Sequence, residues 1–193
     1  MQDVNRRSVL LGAALTGLAG ASTFVAAPSR SEPDSGDGVD LALLRRSFAL
    51  TAEARQMGGA PYGALVADGA GKIVVEQRNT SGVTGGDPTQ HAELVAVASA
   101  WRALNYDGMG SATLYASTEP CTMCAGAAYW TGIGRVVYGL PNWRLFQFTG
   151  DNPSQTSFAL PCRDVLLHGQ RAITVVGPLL EDEAAQAHQG YWH

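Results

Sequence analysis

Two short stretches of sequence place the strongest constraint on the fold, because their side chains suit one shared site although they lie far apart in the chain. The first stretch contains His91 and Glu93, and the second runs from Pro120 through Cys121 to Cys124. One imidazole and two thiolates form a ligand set that Zn²⁺ accepts, and a catalytic zinc site keeps three protein ligands and one open position. The sequence therefore predicts a fold that brings His91, Cys121 and Cys124 together around Zn²⁺.

Glu93 lies two residues after the proposed histidine ligand. A carboxylate beside a metal-activated water can carry protons between that water and a leaving group. Each motif alone is a weak signal, because a Cys-x-x-Cys pair also occurs in redox proteins and in disulfides. A His-x-Glu triplet followed by Pro-Cys-x-x-Cys is, however, the signature of the zinc-dependent nucleobase deaminases. We therefore predict that Glu93 is the catalytic residue.

The pattern of apolar and turn residues predicts strands that alternate with helices, and hence an α/β layered sheet. Both ligand stretches fall where strands end and helices begin, which is where ligands gather in such sheets. The predicted helices are 39–57, the segment after His91, the segment that Pro120 opens, 162–168 and 181–189. The predicted strands are 62–67, 72–77, 112–117, 135–138 and 172–176, and residues 141–153 are expected to be irregular.

Helical spacing also predicts which side chains face inward. We expect His91 to share a buried stripe with Leu94, Ala98 and Trp101. We expect Tyr129 and Trp130 to be core residues, His168 and His188 to face solvent, and Cys162 to be a buried thiol. Three cysteines are an odd number, which argues against a framework of disulfides.

The first residues are typical of a targeting segment. Residues 1–27 contain an Arg-Arg pair followed by an uncharged run that is rich in Ala, Gly and Thr, which predicts a twin-arginine signal peptide and a periplasmic protein with no membrane attachment after cleavage. An uncleaved membrane anchor is the alternative, since the run approaches spanning length. Residues 28–38 are predicted to be a linker, and residues 39–193 a single domain.

The charge of the chain bears on its partners. The formal net charge is −4 at pH 7. An acidic protein is a poor electrostatic match for a polyanion, so the composition argues against a nucleic-acid partner.

Residues from about Ala60 to Tyr138 resemble the cytidine deaminase-like superfamily, in particular the branch that contains bacterial guanine deaminases and tRNA adenosine deaminases. The matching segments are Ala60-Pro61-Tyr62-Gly63-Ala64, Asn79, residues 87–93 and residues 117–127. The resemblance implies a three-layer α/β/α sandwich with a five-stranded mixed sheet, and a dimer. It also implies zinc on His91, Cys121 and Cys124, Glu93 as the proton shuttle, and substrate contacts from Asn79 and Ala92.

The resemblance becomes thin after Tyr138, in the segment where the guanine deaminases carry an acidic contact to the base. Asp151 is the candidate for that contact here. We expect the aromatic rings of Trp143, Phe146 and Phe148 to enclose a free purine, with packing of a long loop as the alternative. Residues 191–193 either fold over the site or form a frayed terminus.

These features favour a zinc-dependent hydrolytic deaminase that releases ammonia from a free nucleobase or related amino-heterocycle, with guanine ahead of cytosine and adenine derivatives. A deaminase of tRNA adenosine or of nucleosides is the second interpretation. A zinc-stabilised binding domain is a third, and it needs Cys162 or His168 as a fourth ligand. A thiol redox protein is a fourth, but it leaves His91 and Glu93 without a role.

Overall fold

The computed structural model describes residues 37–83, 85–150 and 158–192. The predicted signal peptide, most of the predicted linker, Asp151 and His193 lie outside these residues. Within them, no helix is both long enough and apolar enough to cross a membrane.

Six α-helices and five β-strands make up the described part of the chain. The helices are α1 Gly38–Gln56, α2 Ala92–Met109, α3 Thr122–Trp130, α4 Asn142–Thr149, α5 Cys162–Leu167 and α6 Glu181–Ala185, and a 3₁₀ turn, Gln186–His188, follows α6. The strands are β1 Gly63–Ala67, β2 Ile73–Arg78, β3 Thr113–Thr118, β4 Arg135–Leu140 and β5 Thr174–Val176.

The strands form one mixed sheet in the order β2-β1-β3-β4-β5. Strand β1 is antiparallel to both β2 and β3, whereas β3, β4 and β5 are parallel to one another. The carboxyl ends of β2, β3, β4 and β5 therefore all lie at one edge of the sheet. The loops that leave this edge lead into α2, α3 and α4.

The two faces of the sheet are buried in separate hydrophobic clusters. Leu114 and Val136 pack beneath α2, α3 and α5. Their strand neighbours Tyr115 and Val137 pack on the opposite face against Leu44 of α1. Because side chains alternate along a strand, helices on both faces make a three-layer α/β/α sandwich. The predicted fold class is confirmed.

The predicted inward stripe behind His91 is wrong. His91 has extended backbone angles and precedes the first residue of α2, so it is out of phase with the helix that follows. The face of α2 that packs on the sheet consists mainly of small side chains, namely Ala92, Ala96, Val97 and Ala100. Small side chains allow the helix axis to approach the sheet closely. Trp101 lies on another face and is 46% exposed.

Two predictions about aromatic and imidazole side chains also fail. Trp130 is 80% exposed at the end of α3 and is not part of the core. His188 does not face solvent, because its ring is only 1% exposed and packs among Tyr62, Phe148 and Trp192. The chain end through Trp192 is therefore held by aromatic packing.

The segment after β4 is helical rather than irregular. Pro141 takes an extended conformation immediately before α4, a position at which a missing N–H costs little. Asn142, Leu145, Phe146 and Thr149 follow at helical spacing. The proline and the glycine at 150 mark the two ends of this short helix.

Candidate active site

The metal-binding residues lie at the amino-terminal ends of two helices. His91 immediately precedes α2, Cys121 immediately precedes α3, and Cys124 is the third residue of α3. Both helices begin at the edge of the sheet where β2 and β3 end. The positive end of a helix dipole favours a thiolate over a thiol, so this placement suits ligands that must be deprotonated.

The three ligand atoms are close enough to hold one ion. His91 Nδ1 lies 3.7 Å from Cys121 Sγ and 3.6 Å from Cys124 Sγ, and all three atoms lie within 4.8 Å of one another. Zinc bonds of about 2.3 Å to sulfur and about 2.05 Å to nitrogen, at a tetrahedral angle, separate the two atoms by about 3.6 Å. The cluster of His91, Cys121 and Cys124 therefore fits Zn²⁺.

The electrostatics of the cluster also favour a cation. Hydrogen bonds from Cys124 and His91 lower the pKa of Cys121 to about 4, so this sulfur carries negative charge at neutral pH. Hydrogen bonding to Cys121 and burial raise the pKa of Cys124 above its ordinary value. Zinc requires both sulfurs as thiolates, so metal binding would displace the thiol proton of Cys124.

Neither candidate for a fourth protein ligand joins this cluster. Cys162 begins α5 and is buried in the hydrophobic core. His168 is exposed, and its Nδ1 lies 2.7 Å from the carbonyl oxygen of Asp164. Among the residues described, the ligand group consists of His91, Cys121 and Cys124 alone. A three-ligand group is the arrangement of a catalytic zinc site rather than of a closed structural one.

Glu93 is buried beside the ligands. It is the second residue of α2, is 5% exposed, and its Oε2 accepts a long hydrogen bond of 3.8 Å from Cys124 Sγ. Burial raises the pKa of this carboxyl to about 7. A carboxyl that titrates near neutrality can both accept and donate a proton at physiological pH.

His91, Cys121 and Glu93 line a cleft with a volume of about 140 Å³, and Cys124 lies buried behind them. Its walls come from the loop before β1, the loop after β2, the end of β3 and one face of α4. The lining residues are Ala60, Tyr62, Ser81, His91, Glu93, Thr118, Glu119, Cys121, Asn142, Leu145, Phe146 and Thr149. The cleft combines apolar surface with a few polar groups, which is typical of a small-molecule site.

The predicted substrate contacts differ in where they lie. Phe146 lines the cleft. Asn79 is buried and is not itself a lining residue, but its Oδ1 accepts a hydrogen bond from Ser81, which is one. Its Nδ2 has no partner among the described residues. Ala92 is fully buried between the ligand His91 and Glu93.

Two of the predicted aromatic contacts do not reach the cleft. Trp143 is 61% exposed, and Phe148 packs against His188. The reason is the helical geometry of α4, which turns residues 142, 145, 146 and 149 to the cleft and points 143 and 148 elsewhere. An irregular loop would have allowed all three rings to converge.

Several cleft residues were not predicted from the sequence. Thr118 ends β3, and Asn142 begins α4 with its side-chain Nδ2 buried and without a partner among the described residues. The helical spacing from Asn142 to Thr149 was the signal that would have identified this wall.

One buried carboxylate ties these walls together. Glu119 follows β3, and its two carboxylate oxygens accept hydrogen bonds from the backbone N–H groups of Asn142 and Cys162. Its own backbone N–H donates to the carbonyl of Leu140. The side chain therefore fixes where α4 and α5 begin relative to the end of β3.

Comparisons with known proteins match this architecture. The model of the cytidine and deoxycytidylate deaminase zinc-binding region matches residues 38–140. A probable cytosine deaminase of Schizosaccharomyces pombe is 38% identical over 153 residues, which is 79% of this chain and 92% of that protein. The guanine deaminase of Bacillus subtilis is 41% identical over 98 residues, which is 50% of this chain and 61% of that protein. The guanine deaminase structure from Nitrosomonas europaea shares the fold, with a TM-score of 0.64 and 22% identity over 83% of this chain and 87% of that one.

Proposed function

This chain belongs to the family defined by the cytidine and deoxycytidylate deaminase zinc-binding region and is a zinc-dependent hydrolytic deaminase, and we propose that its substrate is a free nucleobase. The observation that carries the proposal is the small cleft of about 140 Å³, which is lined by the ligands His91 and Cys121 and by Glu93. A cavity of about 150 Å³ holds one benzene molecule. This size favours a single heterocycle over a nucleotide.

The protein groups divide the chemistry between them. His91, Cys121 and Cys124 would hold the zinc ion. Bound zinc supplies a Lewis acid that lowers the pKa of water toward neutrality. Glu93, with a pKa of about 7, would accept one proton from the attacking water and deliver it to the ring nitrogen. It would then take the second proton from the oxygen added to the ring carbon and deliver it to the departing amine. Ammonia and the oxo form of the heterocycle are the products.

The cleft walls supply recognition. Leu145 and Phe146 offer apolar surface to the faces of an aromatic ring. The side-chain nitrogens of Asn79 and Asn142 are buried donors without partners among the described residues. An unsatisfied buried donor costs about 1–3 kcal/mol, so an acceptor atom of the substrate would recover that energy. We propose that Asn79 and Phe146 contact the base.

Guanine is the first candidate substrate, because guanine deaminases appear among both the sequence relatives and the solved structures of this fold. Cytosine is the second candidate, and two observations favour it. A probable cytosine deaminase aligns with 79% of this chain and 92% of its own length, and the cleft volume is close to that needed for one six-membered ring. The net charge of −4 favours either base over a tRNA substrate.

We also propose export and dimerisation. The Arg-Arg pair and the uncharged run of residues 1–27 support a twin-arginine signal and a periplasmic location. Exposed Trp101, Tyr106 and Trp130 support a homodimer, since large exposed aromatic side chains are enriched at protein interfaces. Cell fractionation of the full chain with an Arg6→Lys, Arg7→Lys control tests the location. Light scattering of the purified protein tests the dimer, and a monomer at micromolar concentration would refute it.

The substrate is tested by metal analysis and by ammonia release from guanine, cytosine, adenine, their nucleosides and an anticodon stem-loop RNA. We expect about one zinc ion per chain and ammonia from a free base. The Glu93→Gln variant should keep its zinc and lose nearly all turnover. Ammonia from the RNA alone would refute the substrate class, and full turnover in Glu93→Gln would refute the proton-transfer role.

A further inference from the structure

A buried imidazole that has no part in the chemistry above lies directly behind the cleft. His188, in the 3₁₀ turn after α6, is 1% exposed, and its ring plane is nearly parallel to that of Trp192, at an angle of 8° with the ring centroids 6.0 Å apart. Its Nε2 lies 3.3 Å from Thr118 Oγ1, and its Nδ1 lies 3.2 Å from Trp192 Nε1. The three side chains form a hydrogen-bonded row that ends at the cleft, since Thr118 is one of the lining residues.

The chemistry of the three groups fixes the direction of this row. The indole N–H of Trp192 is only a donor, so Nδ1 of His188 must be an acceptor. The imidazole is therefore neutral and carries its proton on Nε2. Burial and the nearby guanidinium of Arg55 lower the pKa of His188 to about 4, which agrees with a neutral ring.

The direction of the row determines what Thr118 does. Nε2–H of His188 donates to Thr118 Oγ1, so the hydroxyl must point its own hydrogen elsewhere. Among the residues that the structure describes, this hydroxyl has His188 as its one hydrogen-bonding partner. Because Thr118 lines the cleft, we infer that its hydrogen points there.

We propose that His188 is a positioning residue that, held by Trp192, makes the Thr118 hydroxyl a hydrogen-bond donor to the substrate. The complementary group is an acceptor on the heterocycle, namely a ring carbonyl oxygen or an unprotonated ring nitrogen. The inference rests on the proposed nucleobase substrate. It adds a specificity determinant, since a ring with an N–H at that point would face a second donor.

A double-mutant cycle separates positioning from packing. Thr118→Val removes the hydroxyl and keeps the shape, and Trp192→Phe removes the indole N–H and keeps an aromatic ring beside His188. We expect Thr118→Val to lower kcat/KM by about 10- to 100-fold on whichever base the wild type deaminates. Trp192→Phe should lower it severalfold in the wild-type background and have no effect in the Thr118→Val background. Equal Trp192→Phe losses in both backgrounds would refute the positioning role.

Conservative replacement of the imidazole gives an independent readout. His188→Gln keeps an N–H near the position of Nε2, whereas His188→Leu does not. We expect Gln to restore most of the kcat/KM that Leu loses, with similar melting temperatures for the two variants. Equal kcat/KM in the two variants would overturn the inference.

The ring itself is observed directly by nitrogen-15 NMR of histidine-labelled, zinc-loaded protein, which requires no turnover. At pH 7 the His188 ring should be neutral with its proton on Nε2 in the wild type, and Trp192→Phe should add the Nδ1–H form. A proton on Nδ1, or a charged ring, in the wild type would refute the proposed direction. Lack of ammonia release from every base would instead refute the proposed function, so the two failures are distinguishable.

Discussion

Asp40 offers a quantitative test of the packing of α1 on the sheet. Its carboxylate accepts hydrogen bonds from Arg135 at the start of β4 and from the hydroxyl of Tyr115 in the middle of β3. Asp40 is only 3% exposed, and its hydrogen bonds join the first turn of α1 to two strands. Removing one member of a buried ion pair typically costs about 3–5 kcal/mol.

We expect Asp40→Asn to lower the free energy of unfolding at pH 7 by about 3 kcal/mol, the lower end of that range. Two features of the site reduce the loss. Arg135 keeps a quarter of its side chain in solvent, and an asparagine retains an oxygen that can accept from Tyr115. For a domain of this size, about 3 kcal/mol corresponds to a melting temperature lower by about 6–12 °C.

The loss should also depend on pH. The hydrogen bond from Arg135 lowers the pKa of Asp40 below its ordinary value of 3.8. A carboxyl whose pKa is depressed by folding contributes stability that is fully present above the unfolded-state value, and this contribution disappears as pH falls through the folded-state value. The difference between wild type and Asp40→Asn should therefore be constant from pH 7 to about 5 and shrink below pH 3.8.

Urea titrations followed by circular dichroism, on zinc-loaded protein at several pH values, measure this difference. Glu183→Gln is the matched control, because Glu183 also receives two hydrogen bonds from one arginine, Arg45, but does so at the surface. An exposed pair contributes little to stability. If Asp40→Asn is no more destabilising than Glu183→Gln, the argument from burial is refuted.

Three further changes test other parts of the structure. Cys121→Ser should lose zinc, whereas Cys162→Ser, which lies away from the ligands, should keep it. Mass spectrometry under native conditions measures the zinc content of both variants, and equal content would contradict the ligand assignment. Gly134→Ala should lower the melting temperature strongly because its Cβ would lie within 3 Å of backbone atoms, whereas Gly126→Ala, with open space around its Cβ, should change it little. Glu119→Gln places an amide NH₂ donor against a backbone N–H donor, which should displace the cleft wall, so we expect a raised KM with zinc retained. An unchanged KM would show that this carboxylate does not hold the cleft wall.

The metal site could be predicted from the sequence because its chemistry is local. His91, Cys121 and Cys124 each lie at the start of a helix that the local sequence predicts. Because the three side chains together form one zinc ligand set, the two segments must meet in the fold. The layered α/β sheet was also predictable, since strands alternate with helices along the chain. These features depend little on the rest of the core.

The residues that line the cleft depend on longer-range packing and were harder to predict. Pro141 and a high density of polar and aromatic side chains favour a loop, yet α4 forms because Leu145 is buried against Leu140 and Ala184. His188 looks like a surface residue in a polar segment, and its burial results from Tyr62 and Trp192, which lie far from one another in sequence. Helical phase counted from His91 predicted that Trp101 faces inward, but the face of α2 that packs against the sheet is the one that carries its alanines.

The bonds of Glu119 have a consequence for how related enzymes can diverge. Its carboxylate holds the first residues of α4 and α5, and it stands two residues before the ligand Cys121. Moving α4 as a body would therefore strain the strand end that leads to the zinc ligands. Replacing the side chains on the face of α4 that lines the cleft causes no such strain. New substrate preferences are accordingly expected to arise by exchange of side chains on a stationary helix, with the reaction machinery left as it is.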